Sequence, residues 1–188
     1  MTSEVANAFY PLRDKVRTIV INDQFRLAPW ADVLYGADWQ WWMHPNNRDA
    51  LDFVGTKVTV GWPVSFPQVM YLNAGHTTGL DSRADHLATC NNSGHQAMDL
   101  AVHFGATTLL LFGFDMRKVD GKAHNFGDHP KGLENNSPFK DFVRLMTLSA
   151  PAFYGKRVEV INCTPRSALK CFKHDSLENV IARITSNT

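Results

Sequence analysis

Four groups of residues carry polar chemistry in patterns that suggest a site. The first is the run Cys90-Asn91-Asn92-Ser93-Gly94, which stands just ahead of an apolar-periodic stretch. Free backbone N–H groups at a helix start, with the helix dipole behind them, attract phosphate or carboxylate, and Gly94 would let such a group approach closely. The plainer reading is that Ser93 simply caps the helix, with Gln96 three residues on as in a capping box. Cys90 is read as a small apolar filler rather than a nucleophile.

The second group is the loop that holds His124 and His129, preceded by Asp115. An imidazole titrating near roughly 6.5 can move a proton either way at neutral pH, so His124 or His129, with Asp115 or Asp128, suits general acid–base work. The same residues could ligate a divalent ion, although the His-x4-His spacing is not that of a zincin helix. The third group is a recurrence of polar residues at the ends of apolar runs: Asn22-Asp23, Gly36-Ala37-Asp38, Gly113-Phe114-Asp115 and Asn162-Cys163-Thr164-Pro165, the last followed by Ser167. In an open parallel sheet, ligands collect beyond the carboxyl ends of the strands. The fourth is Trp39, Trp41 and Trp42, which could stack a base or sugar but read first as packing or interface residues.

These residues need a sheet to present them. Thr18-Ile19-Val20-Ile21-Asn22 and Ala31-Asp32-Val33-Leu34-Tyr35-Gly36 are short apolar runs with strand character, and residues 57–60 and 68–72 are further candidates. Residues 38–43 suit a short helix, and residues 75–83 a polar, glycine-containing loop. From Ser93 the positions of Ala97, Leu100, Ala101 and Phe104 give a helical apolar face that Gly105 stops. Thr107-Thr108-Leu109-Leu110-Leu111-Phe112 then reads as a strand covered on both faces. A helix over residues 138–149, a strand over 158–162 and a helix over 177–184 complete an alternating order. The expectation is one α/β domain over residues 1–188 with a Rossmann-like, doubly wound, mostly parallel sheet, in which residues 1–17 form an atypical N-terminal arm.

Bulk properties narrow the partners. The formal charge is +1, so no long-range field recruits nucleic acid or an anionic membrane, and small molecules are the expected partners. No apolar run approaches the roughly 20 residues of a membrane span, and the first residues lack a basic and then apolar leader, so the chain reads as cytoplasmic. Its three cysteines have no Cys-x-x-Cys spacing, which speaks against a disulfide framework or a thiolate zinc site. The tryptophans, if exposed, would suit a homo-oligomer.

Several segments together resemble the single-domain bacterial sialyltransferases and the related Rossmann-like group that includes a pterin pyrophosphokinase, with similar small proteins in phages and prophages. The matching segments are Val20-Ile21-Asn22-Asp23-Gln24, Asn92-Ser93-Gly94, Leu111-Phe112-Gly113-Phe114-Asp115, the loop 124–129, and Asn162-Cys163-Thr164-Pro165-Arg166-Ser167-Ala168-Leu169. The resemblance implies a nucleotide or nucleotide-sugar held by Asn22, Asn92, Ser93, Gly94, Gly113 and Asp115, with His129 or His124 as base. Asp38, Asn91, Thr164 and Ser167 join this set from their places at strand ends. Members of the group usually begin with a strand and a glycine-rich turn, whereas no glycine occurs here before Gly36. Three functions follow as expectations. The first is a nucleotide-dependent transferase of the glycosyltransferase kind. The second is a non-catalytic phage protein that binds a nucleotide or engages a host protein. The third is a phosphoryl or pyrophosphoryl transferase using a divalent metal such as magnesium, the one cofactor these residues suggest.

Overall fold

The computed structural model describes residues 2–61, 66–118 and 138–186. Helix α1 (Ser3–Phe9) precedes four strands, β1 (Ile19–Ile21), β2 (Val33–Tyr35), β3 (Thr56–Val60) and β4 (Val69–Ala74), with the short helix α2 (Trp39–Met43) between β2 and β3. Strand β5 (His86–Leu87) leads into α3 (Ser93–His103), which is followed by β6 (Thr108–Leu111) and α4 (Phe139–Gly155). Strand β7 (Glu159–Asn162), β8 (Lys173–His174) and α5 (Leu177–Ser186) close the order. The strands form two wholly parallel sheets, β1-β2-β3-β4-β5 and β6-β7-β8. This is the expected Rossmann-like α/β architecture, with the difference that the β1 and β6 edges are not paired to one another.

Strand alternation sorts the core into two layers. Ile19 and Ile21 of β1 pack with Val33, Tyr35 and Val58 on the α3 face, whereas Val20 turns the other way to join Leu34, Trp42 and Phe53. On β6, Leu109 and Leu111 meet Met98 of α3 and Met146 and Phe153 of α4, and Leu110, with Phe112 just past the strand, meets Phe9 of α1 and Val180 of α5. Around β1, β2, β6 and β7 both faces are therefore covered, which is why these strands read as continuous apolar runs, whereas β4 exposes Met70 and Tyr71 and β8 is exposed throughout. Two helices span the division. Helix α3 sets Ala97 and Leu100 on the five-stranded side and Met98 on the three-stranded side, and α1 does the same with Ala6 and Phe9.

Several local expectations change. Strand β2 starts at Val33 rather than Ala31, because the Asp32 carboxylate turns back to accept the Thr18 N–H at 2.8 Å and an Arg17 hydrogen bond at 2.9 Å. Helix α4 runs six residues past Ser149 to Gly155 and through Pro151; Pro151 is exposed, and the inward face continues with Ala150 and Phe153. Strands β5 and β8 have two residues each and were not expected. Loop 75–83 is pinned: the buried Asp81 carboxylate takes a two-pronged hydrogen bond from Arg83, at 2.9 and 2.7 Å, which holds its pKa well below the usual range. Trp41 and Trp42 are core residues, the latter donating its indole N–H to the Gly36 carbonyl at 2.9 Å, whereas Trp39 is exposed.

Helix α3 carries a buried polar row inside this core. The Asp99 carboxylate accepts backbone N–H groups from Ala88 at 2.7 Å and Asp81 at 3.2 Å. His95 is wholly buried, with Nδ1 3.2 Å from the Ala88 carbonyl and its ring 5.9 Å from that of Phe153. Burial lowers its pKa to about 4. A histidine that is neutral when folded but protonates near 6.5 when unfolded leaves stability intact above 6.5 and removes it as pH falls from 6.5 towards 4. The expected loss is on the order of 3 kcal/mol across that window. Urea denaturation at a series of pH values should show it, and His95→Gln should flatten the slope; an unchanged slope would refute the assignment.

Candidate functional site

A cleft of about 1960 Å³ runs between β1 and β6. At the carboxyl ends of these strands it is lined by Asn22, Asp38, Asn91, Asn92, Ser93, Gly94, Gly113 and Asp115, which come from four separate segments of the chain. Local conformation explains how each arrives. Cys90 and Asn91 both adopt left-handed backbone, with φ of 43° and 49°, and this reverses the chain out of β5 and into α3. Asparagine tolerates that region better than most residues. Asn22, at φ 50°, makes the corresponding turn after β1, and Gly113, at φ 79°, the one after β6.

The cap of α3 differs from the capping box expected from sequence. Asn92 is the N-cap residue, its Oδ1 accepting the His95 N–H at 3.1 Å and its carbonyl the Gln96 N–H at 3.1 Å. Gln96 does not reach back to a Ser93 cap; its Oε1 accepts the Tyr35 hydroxyl at 3.0 Å. The Asn92 N–H goes to the Thr89 carbonyl at 3.0 Å. Of the donors at this helix start, the cap therefore leaves over the N–H groups of Ser93 and Gly94, both at the cleft.

Gly94 has a packing reason as well as a possible ligand reason. A Cβ placed there would lie 2.7 Å from Cε1 of Phe114, so the loop after β6 rests directly on the first turn of α3. Thr164 and Ser167 do not line the cleft. Both are buried behind Phe114: Thr164 Oγ1 accepts the Phe114 N–H at 2.9 Å, and Ser167 Oγ donates to the Phe114 carbonyl while accepting from Asn162 at 3.0 Å. Their hydroxyls are committed to holding the Gly113–Asp115 loop in place, which makes them positioning residues.

Sequence reasoning passed over Gln24, whose side-chain oxygen, like that of Asn22, is buried at the cleft with no hydrogen-bond partner. Its place in Asn22-Asp23-Gln24 was the available signal. His95, one residue into α3, is turned inward rather than towards the cleft. Cys90 lies buried with Sγ 3.1 Å from Ser149 Oγ, and burial pushes its thiol pKa up, the opposite of an activated nucleophile. His124 and His129 lie outside the described residues. Among the described residues no three His, Cys, Asp or Glu side chains come together to hold a metal ion, and no helix is long and apolar enough to cross a membrane.

Comparison of the chain with protein-family models, curated proteins and solved structures gives no match.

The contact of Gly94 with Phe114 fixes the sign of a substitution. In an unhindered helix Gly→Ala gains about 1 kcal/mol. Here Gly94→Ala should instead lose about 1–3 kcal/mol through overpacking, and Phe114→Leu in the same chain should recover part of it. Urea midpoints of the single and double variants measure both effects; a stabilised Gly94→Ala chain would show that the contact does not constrain the turn.

Proposed function

We propose that the chain is a nucleotide-dependent transferase of the glycosyltransferase kind, which binds a nucleotide or nucleotide-sugar at the carboxyl-end mouth of the cleft. The observation that carries this reading is the convergence of Asn22, Asp38, Asn91 to Gly94, Gly113 and Asp115 on one cleft, with two helix-start N–H groups left over by the cap. Phosphate oxygens suit the N–H groups of Ser93 and Gly94, where the helix dipole adds to the attraction. The unpartnered amide oxygens of Asn22 and Gln24 suit the donors of a base edge or the hydroxyls of a ribose. Asp38 and Asp115 would repel phosphate and are better matched to sugar hydroxyls, for which carboxylates are strong acceptors. Proton removal from the acceptor is assigned to His129, with His124 as the alternative, on the grounds of the sequence resemblance.

A second reading, binding without turnover, is favoured by one feature. The turn at the end of β1 is made by Asn22 rather than by glycines, and the first glycine of the chain is Gly36. Conversion of a nucleotide-sugar supports the transferase; tight retention with no product over long incubation supports the binding protein. Dependence of turnover on magnesium would instead indicate phosphoryl or pyrophosphoryl transfer.

Thermal-shift measurements across nucleotides and nucleotide-sugars, with and without magnesium, test the shared premise. At a hundredfold excess over Kd a bound ligand should add about 2.7 kcal/mol, a rise of roughly 5–10 °C for a chain of this size. Asn91→Asp keeps the shape and the left-handed backbone but places a carboxylate at the helix start. Affinity should fall about tenfold or more without loss of stability in the free protein. A panel with no shift, or Asn91→Asp binding as tightly as the parent, would remove the nucleotide site.

A further inference from the structure

Both long walls of the cleft are open strand edges. The Thr18 carbonyl accepts from Asp32 and Val33 beside β2, and β1 pairs β2 in the register Ile19 with Val33. Alternation then directs the N–H and C=O of Val20 towards β2 and those of Ile19 and Ile21 into the cleft. On the other wall, the Thr107 and Leu111 carbonyls accept from Glu159 and Cys163, on the β7 side. The groups of Thr108 and Leu110 consequently face the cleft. Asn22 and Gly113, which follow the two edges, lie at the same mouth beside the start of α3, so β1 and β6 run in the same direction.

The space between them is roofed on both faces of the two edges. Helix α3 covers it on one face and α1 on the other, with Phe9 of α1 against the Phe112 ring at 5.2 Å. Ala97, Met98 and Ala101 of α3 and Val5, Ala6 and Phe9 of α1 line it, so the covering helices present an apolar surface there.

We propose that this slot receives an extended strand of about five residues from a different polypeptide, running parallel to β1 and β6 and joining the two sheets into one. Two walls carrying alternating donors and acceptors at peptide spacing select a polypeptide backbone over a small ligand. Helices on both faces select a continuous apolar run, rich in Val, Ile and Ala, over an alternating one. Among the described residues of a second copy every strand is already paired, and one would have to unpair to fill the slot, which favours a partner with a free extended segment. The proposal is independent of the nucleotide reading, since the strand lies along the edges and the nucleotide at the mouth.

The test is hydrogen–deuterium exchange, resolved to single amides, on the full chain carrying the segment Lys-Val-Val-Ile-Val-Lys ahead of Thr2 on a flexible Gly/Ser linker. The N-terminus is a suitable attachment point because Val5 and Ala6 line the cleft. The control is the same fusion with proline at the central Ile of the segment, and the free peptide added in trans provides a second arm. Exchange at Ile19, Ile21, Thr108 and Leu110 should slow on the order of tenfold or more with the strand and not with the proline control, while Val20 and Leu109 change little. Equal exchange in strand and control, with no effect of the free peptide, overturns the proposal. So does protection of the four slot amides in the parent chain equal to that of Val20 and Leu109. If protection of the parent instead rises with its own concentration as dimers form, a second copy fills the slot and the partner assignment is wrong.

Discussion

The arrangement depends on helix α3 being held in one position by buried polar contacts. The Asp99 carboxylate is buried and burial raises its pKa, an effect opposed by the N–H groups of Ala88 and Asp81 on Oδ2 and by His103, 3.8 Å from Oδ1. A buried carboxylate stripped of such donors costs several kcal/mol, and this makes the register of α3 against the segment before it hard to change. The same segment is tied to α4, through the Gly79 N–H to Ser149 Oγ at 2.8 Å and Ser149 to Cys90 Sγ. Helix α3 in turn packs on both sheets. The turn from Cys90 to Gly94 therefore projects from a braced frame, as a binding turn must if it is to hold donors at fixed distances.

Much of this frame could be read from the sequence because burial on both faces leaves a plain mark. The runs Ile19-Val20-Ile21 and Leu109-Leu110-Leu111 are apolar without interruption, and tertiary packing has no cause to override them. Strands β5 and β8 carry no such mark. Two residues are too few for a period, and His86-Leu87 and Lys173-His174 are strands only because a neighbour's edge is there to pair with. The Ser93 cap failed for a related reason. Asn92 and Ser93 are both good cap residues, and the choice between them was made by the left-handed turn at Cys90 and Asn91 and by Tyr35 of β2, whose hydroxyl takes the Gln96 side chain.

The candidate site was legible as a set of strand ends rather than as individual roles. Polar residues after apolar runs converge because a parallel sheet brings its carboxyl ends to one side, and this required no knowledge of side-chain direction. Thr164 and Ser167 illustrate where such reasoning stops. They stand at a strand end like the others, yet their hydroxyls are spent on the backbone of Phe114, one layer behind the cleft. Gly94 is the converse case, a glycine explained by a neighbouring ring as fully as by any ligand.

In a doubly wound sheet the binding crevice lies where the strand order reverses, above two adjacent strands that remain paired. Here the reversal falls between β1 and β6, and with those edges apart the crevice continues down through the sheet itself. The mouth and the slot consequently share their walls. Asn22 is the residue after Ile21 and Gly113 follows Phe112, so whatever pairs with the two edges also fixes the backbone from which both left-handed turns spring. An edge without a neighbour loses ladder hydrogen bonds and with them local stability, and two such edges border the proposed site. A strand placed in the slot would therefore bear on the mouth through adjacent residues, without any longer route of communication.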